Sequence, residues 1–260
     1  MIALDGRKLE SAWFGAAPDH APSLVLLHEG LGAVSLWRDF PQALAERTGC
    51  GVFAWSRFGY GGSDPAPIPW PIDYMRREAC QHLPQVLDAA GIDRCILIGH
   101  SDGASIATIY AGSRQDFRVR GLALLAPHFF VENAARDHIA RMHAEYQASG
   151  LRARLARYHA DPDIPFRGWS ETWLDPRFAT AFDLSDELLH IRVPILIIQG
   201  SRDPYGTDAQ PRMAEALCLC PVRTVMVDAG HAPHLEARET VIDAIGGFAD
   251  RIFRVHEHAH

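Results

Sequence analysis

The stretch CILIGHSDGASIATIYA, residues 95–111, decides the fold of this chain of 260 residues. Its first part is an apolar run typical of a buried strand, and the part after the serine has the pattern of a helix. Ser101 therefore lies at a predicted strand-to-helix junction, flanked as Gly-His-Ser-Asp-Gly. Two interpretations are open: Ser101 is a nucleophile presented on a strained turn, or it caps the helix behind an ordinary glycine-rich connection.

Apolar runs like the one before Ser101 recur along the chain. Because their apolarity is continuous rather than alternating, they predict strands buried on both faces, as in a parallel sheet. The last run is more mixed in character. The runs are SLVLLH (23–28), GVFAWS (51–56), CILIGH (95–100), GLALLA (121–126), PILIIQ (194–199) and VRTVMV (222–227).

Helical patterns separate these runs. Gly49 and Gly91 suit helix C-caps, and Pro84 predicts a kink or break in the second helix. The opening segment predicts a hairpin that turns at Asp5-Gly6. The alternation of strands and helices indicates the α/β class, with helices on both faces of one sheet. Helices are predicted over 37–49, 73–91, 101–112, 208–220 and 238–253.

One segment interrupts this alternation. Residues 128–190 have no strand pattern and are first strongly helical, then rich in aromatic residues. A helical insertion after a sheet strand predicts a cap over the carboxyl edge of the sheet. We therefore divide the chain into a core of residues 1–127 and 191–260 and a cap of residues 128–190. The terminal HEHAH could chelate a metal, but a short frayed terminus is the simpler interpretation.

Composition narrows the functional classes. A chain of this length with 48% hydrophobic residues suits one sizeable domain. A net charge of -7 without a basic stripe disfavours nucleic acid as a partner. The amino terminus shows no signal pattern and no apolar run reaches membrane-spanning length, so a cytoplasmic protein that does not engage a membrane is expected. Five cysteines without a CxxC pair favour a reduced compartment.

The G-x-S-x-G pattern around Ser101 is weak evidence alone, because a chain with 21 glycines can contain one by chance. Its position between a strand and a helix is what a nucleophile elbow requires. Gly99 and Gly103 would let the strand and the helix pass close to each other. The first turn of the helix would then direct free N–H groups at developing negative charge.

A serine nucleophile needs a base, and the base needs an acid that orients it. The segment after the last strand offers His231 and His234, and we favour His231 because it is the loop position nearest the strand end. Asp203 follows the preceding strand and is favoured over Asp228, which ends the strand that also carries His231. The two histidines form an H-x-x-H pair without a third ligand, so no metal is expected. The remaining histidines are assigned to the surface or the core.

An oxyanion hole needs two backbone N–H groups aimed at one point. One should come from Asp102, the residue after the proposed nucleophile. The other should come from the loop HEGLG (28–32), where Gly30 is the first choice and Leu31 the alternative. A tight strand-to-helix turn is required there in any case, so the loop has a structural reason to exist as well.

Together these motifs resemble the α/β-hydrolase superfamily, in which the catalytic residues follow the chain order serine, acid, histidine. The resemblance covers nearly the whole chain and implies a mostly parallel, eight-stranded sheet with a helical cap inserted at 128–190. A serine at the elbow argues against the dehalogenase and epoxide hydrolase branches, which use aspartate there. The matching motifs are HEGLG (28–32), SRFGYGGSD (56–64), GHSDG (99–103), GSRD (200–203) and AGHAPH (229–234).

The resemblance and the candidate triad predict a serine hydrolase that acts on a small-molecule carboxylic ester, with lactones and thioesters as related substrates and no cofactor. Ser101 would attack the carbonyl, His231 would transfer the proton, and Asp203 would orient the imidazole. Two alternatives stay open. One is hydrolysis of a carbon–carbon bond in a vinylogous diketone, which uses the same triad. The other is a small-molecule receptor that keeps the triad but turns over very slowly.

The substrate pocket is described more loosely by the sequence. Glu29 stands where many relatives have glycine, and we expect its carboxylate to point away from the oxyanion hole and to disfavour anionic substrates. Tyr60 and Trp37 are expected in the core. Four aromatic residues of the cap are candidates either for the pocket wall or for packing against the sheet: Phe129, Phe130, Trp169 and Trp173.

Overall fold

A computed structural model describes residues 1–254 of the chain. Its strands are β1 (Ile2–Leu4), β2 (Arg7–Leu9), β3 (Ser11–Phe14), β4 (Ser23–Leu27), β5 (Gly51–Trp55), β6 (Cys95–His100), β7 (Val119–Leu125), β8 (Ile195–Gly200) and β9 (Val222–Val227). Seven of them form one mixed sheet in the order β3-β5-β4-β6-β7-β8-β9. Every neighbouring pair is parallel except β3 with β5 at one edge. This is the α/β-hydrolase fold that the motifs predict.

The continuous apolar runs form strands that are buried on both faces, as predicted. Every residue of β4, β5, β6 and β8 is buried. Side chains alternate between two faces, each covered by helices. The helices are α1 (Phe40–Thr48), α2 (Tyr74–Arg77), α3 (Leu83–Ala89), α4 (Asp102–Ser113), α5 (Asn133–Glu145), α6 (Leu151–Leu155), α7 (Asp163–Leu174), α8 (Pro176–Ala181), α9 (Ser185–His190), α10 (Ala209–Leu217), α11 (Pro233–Glu236) and α12 (Arg238–Arg254).

The implied eight-stranded sheet is wrong for the described residues. The two short strands β1 and β2 pair with each other and form a separate two-stranded sheet. Their connection is the predicted turn, in which Asp5 and Gly6 have φ values of 50° and 77°. Each of these strands has only three residues, and their backbone groups pair with one another. β3 is therefore the edge strand of the main sheet.

The predicted break near Pro84 is also present. A single π-helical turn at Glu78–His82 separates α2 from α3, and the proline occupies the first turn of α3. Proline lacks an N–H and would clash with the preceding helical turn, so the regular helix ends before it and restarts around it. The break tilts α2 so that Tyr74 is buried beside α4, close to the serine junction.

The chain leaves the sheet after Leu125 and returns at Ile195, and five helices, α5 to α9, occupy the intervening segment. A backbone bridge between Phe130 and Asp183 joins the two ends of this segment. No helix of residues 1–254 is long and apolar enough to cross a membrane. The HEHAH terminus lies outside the described residues.

Gly103 is required where α4 passes β4, and we expect Gly103→Ala to destabilise the fold. A Cβ atom there would lie 2.0 Å from the Leu27 carbonyl oxygen, which belongs to a central strand and cannot move aside. Overpacking of this kind costs about 3 kcal/mol or more. For a domain of this size the melting temperature should fall by about 6–12 °C.

The matched control for this prediction is Gly62→Ala. Its Cβ would have no neighbour nearer than 3.8 Å, so the melting temperature should stay within about 2 °C of wild type. Thermal unfolding followed by circular dichroism measures both variants. Equal stability of the two variants would contradict the close helix–strand packing described above.

Candidate active site

Ser101 occupies the strained junction between β6 and α4. Its φ of 52° and ψ of -116° are unusual for a residue with a side chain, and its N–H donates to the Leu125 carbonyl oxygen of the neighbouring strand at 2.9 Å. The hydroxyl makes no capping hydrogen bond to the helix. The helix-cap interpretation is therefore wrong for this serine, whose Oγ instead faces a cavity and a histidine.

His231 bridges Ser101 and Asp203. Its Nε2 lies 2.9 Å from Ser101 Oγ, and its Nδ1 lies 2.8 Å from Asp203 Oδ2. These contacts favour the tautomer in which Nδ1–H donates to the carboxylate and Nε2 accepts from the serine hydroxyl. The chain thus brings together three side chains from the ends of β6, β8 and β9, as expected at the carboxyl edge of a parallel sheet.

Asp203 is held as a carboxylate. Burial would raise its pKa, but hydrogen bonds from His231 and from the Tyr205 N–H, at 2.8 Å, hold the pKa below its usual value. The Gln199 side chain donates a further hydrogen bond at 3.1 Å. A negative charge fixed beside Nδ1 favours a protonated imidazole once His231 has accepted a proton.

The rival base and the rival acid lie elsewhere. His234 is buried, and its ring packs against the rings of Trp37 and Phe40 at centroid distances of 4.9 and 5.4 Å. Burial lowers its pKa well below the usual value, so it is a neutral core residue. Asp228 has a side chain that is 87% exposed and pairs with Arg202 at 2.7 Å. Neither side chain reaches the serine.

Three backbone N–H groups of the two loops beside the serine have no acceptor within residues 1–254. Asp102 begins α4, and its N–H makes no hydrogen bond to any part of residues 1–254. The N–H groups of Gly30 and Leu31 are likewise without an acceptor in this described range, and both residues line the cavity that contains Ser101. A Cβ on Gly30 would lie 2.3 Å from Trp169 Nε1, so the indole can approach only because glycine stands there.

Arg57 fixes the loop that carries Gly30, and sequence reasoning missed it. The buried guanidinium donates to the carbonyl oxygens of His28, at 2.6 Å, and Glu29, at 2.9 Å. The Arg57 N–H donates to His28 Nε2 at 3.1 Å, and His28 Nδ1 donates to the Glu29 carbonyl oxygen at 2.7 Å. These hydrogen bonds hold both carbonyl groups toward Arg57 and so fix the backbone that leads into Gly30.

The Asp102 side chain links the elbow to the cap. Its Oδ2 accepts a hydrogen bond from the Tyr74 hydroxyl at 2.5 Å, and Trp173 Nε1 donates to the same hydroxyl at 3.2 Å. Burial raises the pKa of this carboxyl, although the nearby Arg57 opposes the rise. The carboxyl is engaged in this network and does not line the cavity.

Glu29 lines the cavity and lies beside His100. Its Oε2 is 3.4 Å from His100 Nδ1, and its side chain is 28% exposed. Burial opposes ionisation, but the interaction with His100 outweighs it and holds the Glu29 pKa well below its usual range. The same carboxylate raises the pKa of His100 against the effect of burial, and His100 Nε2 donates to the His231 carbonyl oxygen at 2.7 Å.

The cavity at the serine has a volume of about 220 Å³, which suits a small substrate. Trp169 and Trp173 belong to its wall, which was one of the two expectations for them, and both are also buried in the hydrophobic core. The full lining comprises Glu29, Gly30, Leu31, His100, Ser101, His128, Ile139, Trp169, Trp173, Tyr205, His231 and Ala232.

Two other cap aromatics do not line this cavity, contrary to one of the two expectations for them. Phe129 is completely buried, and its N–H donates to the Gln210 side chain at 2.7 Å. Phe130 packs against the core from the bridge to Asp183. Both residues are held at the base of the cap by these backbone interactions, so their rings pack against the sheet. Tyr60 and Trp37 are buried, as predicted.

Sequence reasoning missed three polar side chains of the cavity. His100, His128 and Tyr205 were not singled out, and the two histidines were assigned to the surface or core. Each follows or ends a strand at its carboxyl end, and that position is the signal that could have identified them. The Tyr205 ring lies 4.4 Å from the His231 ring and covers it.

A larger cavity of about 330 Å³ lies at the opposite edge of the sheet, where β7 and β8 begin. It contains no triad residue, and we therefore place the candidate active site in the smaller cavity. Within residues 1–254 no group of three histidine, cysteine, aspartate or glutamate side chains is arranged to hold a metal ion.

Comparisons with known proteins identify the family of the fold. A sequence model of the alpha/beta hydrolase family matches residues 24–244. Polyketide synthase ThaQ of Burkholderia thailandensis is 30% identical over 90% of this chain, which spans only 12% of that protein. The 3-oxoadipate enol-lactonase 1 of Acinetobacter baylyi is 24% identical, covering 90% of this chain and 91% of the lactonase. A putative aryl esterase structure from Burkholderia cenocepacia superposes with a TM-score of 0.76 at 19% identity, covering 97% and 98% of the two chains.

Proposed function

The chain belongs to the alpha/beta hydrolase family, and from this premise we propose that it is a serine hydrolase that cleaves a carboxylic ester through an acyl-enzyme on Ser101. The observation that carries the proposal is His231, which contacts both Ser101 Oγ and the Asp203 carboxylate within 2.9 Å at the wall of a cavity. Lactones and thioesters share the reacting carbonyl and fall within the same proposal. The names of the lactonase and esterase relatives support it.

In the first half of the reaction, Ser101 Oγ attacks the carbonyl carbon while His231 Nε2 accepts the hydroxyl proton. The carbonyl oxygen becomes negative and is stabilised by the N–H groups of Asp102 and Gly30, each worth about 3 kcal/mol in comparable sites. The ester bond to the alcohol then breaks, and the His231 imidazolium returns the proton to the departing oxygen. The acyl group remains on Ser101.

In the second half, water attacks the acyl carbon while His231 Nε2 accepts a proton from it. The bond from the acyl carbon to Ser101 Oγ then breaks, the imidazolium returns the proton to Oγ, and the acid is released. Asp203 stabilises the imidazolium in both halves without accepting the proton itself. The strained backbone of Ser101 keeps its Oγ exposed to the substrate and to His231 at the same time. No step requires a cofactor.

The proposal is tested with purified protein and a panel of short-chain esters, lactones, thioesters and vinylogous diketones. Steady-state turnover of esters, with loss of activity in Ser101→Ala, is the expected result. Turnover of the diketones alone would instead support carbon–carbon bond hydrolysis. A single stoichiometric acylation without steady-state turnover would support a receptor.

Glu29 should select against anionic substrates. Two like charges about 6 Å apart repel by roughly 3 kcal/mol at an effective dielectric of 20, and His100 and solvent reduce this figure. We expect Glu29→Gln to raise kcat/KM for a carboxylate-bearing ester, relative to its neutral analogue, by about three- to tenfold. The increase should be larger at low ionic strength.

Asp228→Asn is the control for this charge change, because Asp228 lies on the same edge of the sheet but does not line the cavity. It should leave the ratio of the two substrates unchanged. An unchanged ratio in Glu29→Gln at low ionic strength would show that Glu29 has no electrostatic part in selection.

A further inference from the structure

His128 is a buried polar residue of the cavity that the proposed mechanism does not use. It follows β7 by three residues, after Ala126, whose φ of 45° is left-handed for a residue with a side chain, and after Pro127. This strained exit holds the histidine at the carboxyl edge of the sheet, where it is 2% exposed and lines the cavity. Its carbonyl oxygen accepts a hydrogen bond from Ser105 Oγ at 2.7 Å, which fixes the backbone there.

The His128 ring lies among the groups that surround a bound substrate. Its centroid is 5.6 Å from that of His231 and 5.2 Å from that of Trp173, both of which line the same cavity. A substrate attached to Ser101, which His231 contacts, would therefore pass close to this ring.

The two ring nitrogens of His128 are in different surroundings. Nδ1 is enclosed and has no hydrogen-bond partner within residues 1–254. It lies beside Gly206, where a Cβ atom added to the glycine would be 3.6 Å from Nδ1. Nε2 also forms no hydrogen bond in that described range, but unlike Nδ1 it is not enclosed, and His128 lines the cavity. Buried N–H groups without an acceptor are rarer than unpaired acceptors, so the proton belongs on Nε2, where a ligand can reach it.

His128 is a neutral imidazole. Burial, reinforced by the neighbouring His231, lowers its pKa to about 3. A neutral ring with its N–H in the cavity is suited to an uncharged oxygen acceptor. Among the other polar side chains of the wall, Glu29 is a carboxylate, and the Tyr205 hydroxyl lies 3.0 Å from Met142 Sδ. From the cap, Ile139 and the indole ring of Trp169 face the cavity, and Trp173 donates its Nε1–H to the Tyr74 hydroxyl.

We propose that His128 is a specificity-determining residue whose Nε2–H donates a hydrogen bond to a hydroxyl or keto oxygen of the substrate, close to the reacting carbonyl. The substrate class is then an oxygen-substituted ester rather than a plain alkyl ester. This inference rests on the proposed function, since it concerns the substrate of the same site. Without such an oxygen the buried donor would stay unpaired, and sites built in this way discriminate against analogues that lack the partner.

The experiment compares kcat/KM for two matched pairs of esters. Ethyl 3-hydroxybutanoate against ethyl butanoate places the oxygen on the acyl side, and 2-hydroxyethyl butanoate against propyl butanoate places it on the alcohol side. Wild type should prefer the oxygen-bearing member of at least one pair by tenfold or more. In His128→Phe, which keeps a ring but removes the donor, that preference, measured as the ratio of kcat/KM within each pair, should fall about 5- to 100-fold.

Two further variants separate recognition from packing. His128→Asn keeps a donor and should recover part of the preference, which loss of packing alone would not allow. His138→Phe is the matched control, because the His138 ring packs edge-on against the Tyr205 ring at a centroid distance of 4.6 Å but does not line the cavity. Its substrate ratios should equal those of wild type.

The outcomes distinguish this inference from the function on which it rests. If wild type hydrolyses all four esters without preference, or if His128→Phe keeps the preference, the role of His128 is overturned and the serine hydrolase stands. If wild type hydrolyses no ester, lactone or thioester at all, both proposals are overturned.

Discussion

Replacing Ser101 by alanine is expected to lower kcat for the preferred ester by about 10⁴- to 10⁶-fold, the loss typical of a triad that acts as a unit. KM should change by less than a few fold, because the cavity wall is unchanged. Alanine keeps the Cβ atom and therefore carries the same backbone strain at φ 52°, so the fold should be retained. Steady-state kinetics and thermal unfolding of the same preparation measure both properties.

Covalent labelling provides the matching test of position. A fluorophosphonate probe should modify Ser101 in wild type, as identified by peptide mapping, and should fail to label the variant. Ser113→Ala, at the far end of α4, is the control and should retain both labelling and activity. Labelling that persists in Ser101→Ala would show that another residue is the nucleophile.

Features that depend on local regularity could be predicted from the sequence. Four strands are buried along their whole length because each has apolar residues for both faces of the sheet, and continuous runs express this directly. The three side chains that meet at 2.8–2.9 Å all follow strand ends, and parallel strands bring their carboxyl ends to one edge. Strand position and chain order were therefore sufficient to select Ser101, Asp203 and His231 as candidates.

The cavity wall could not be predicted in the same way. Phe129 and His128 are adjacent; Phe129 was a candidate either for the wall or for packing and His128 was not named for the wall, yet the histidine lines the cavity. Side-chain direction alternates reliably only within a strand. Ala126, with a left-handed φ of 45°, interrupts that alternation. The sequence around it contains no signal that an alanine would adopt this conformation.

The role of Arg57 was hidden for a different reason. Its guanidinium binds two backbone carbonyl oxygens, those of His28 and Glu29, that lie 28 or more residues away in the chain. Every residue has a backbone carbonyl group, so the amino-acid sequence does not show which carbonyl an arginine will bind. Pairing a buried arginine with acidic residues therefore fails to identify a partner of this kind. The contact exists only because β4 and β5 are neighbours in the sheet.

Replacing His231 by alanine should be as damaging to kcat as the loss of Ser101, about 10⁴- to 10⁶-fold, and the double variant should be no worse than either single one. Without Nε2, no group of residues 1–254 within hydrogen-bond distance of Ser101 Oγ can accept its proton. Asp203→Asn should lower kcat by about 10⁴-fold, since an amide can no longer favour the Nδ1–H tautomer or stabilise the imidazolium.

The pH profile should follow from the same assignment. Activity should fall as the pH is lowered, because a protonated His231 cannot accept the proton of Ser101. Asp203 does not add to this loss near neutral pH, because its pKa is held below the usual value and it stays ionised. His234 does not add to it either, since burial keeps its pKa well below the usual value and the ring neutral.

His234→Ala is the decisive comparison because it makes the same change three residues away. His234 packs against Trp37 and Phe40, so its loss should leave a cavity that lowers the melting temperature by about 5–15 °C while kcat falls less than tenfold and the acid limb is retained. If His234→Ala reduced kcat more than His231→Ala, the base would be misassigned. His234 would then have to leave the first turn of α11 and its aromatic neighbours to reach Ser101, at the expense of the packing that now buries it. A large loss of stability with a nearly intact kcat is the result that the geometry requires.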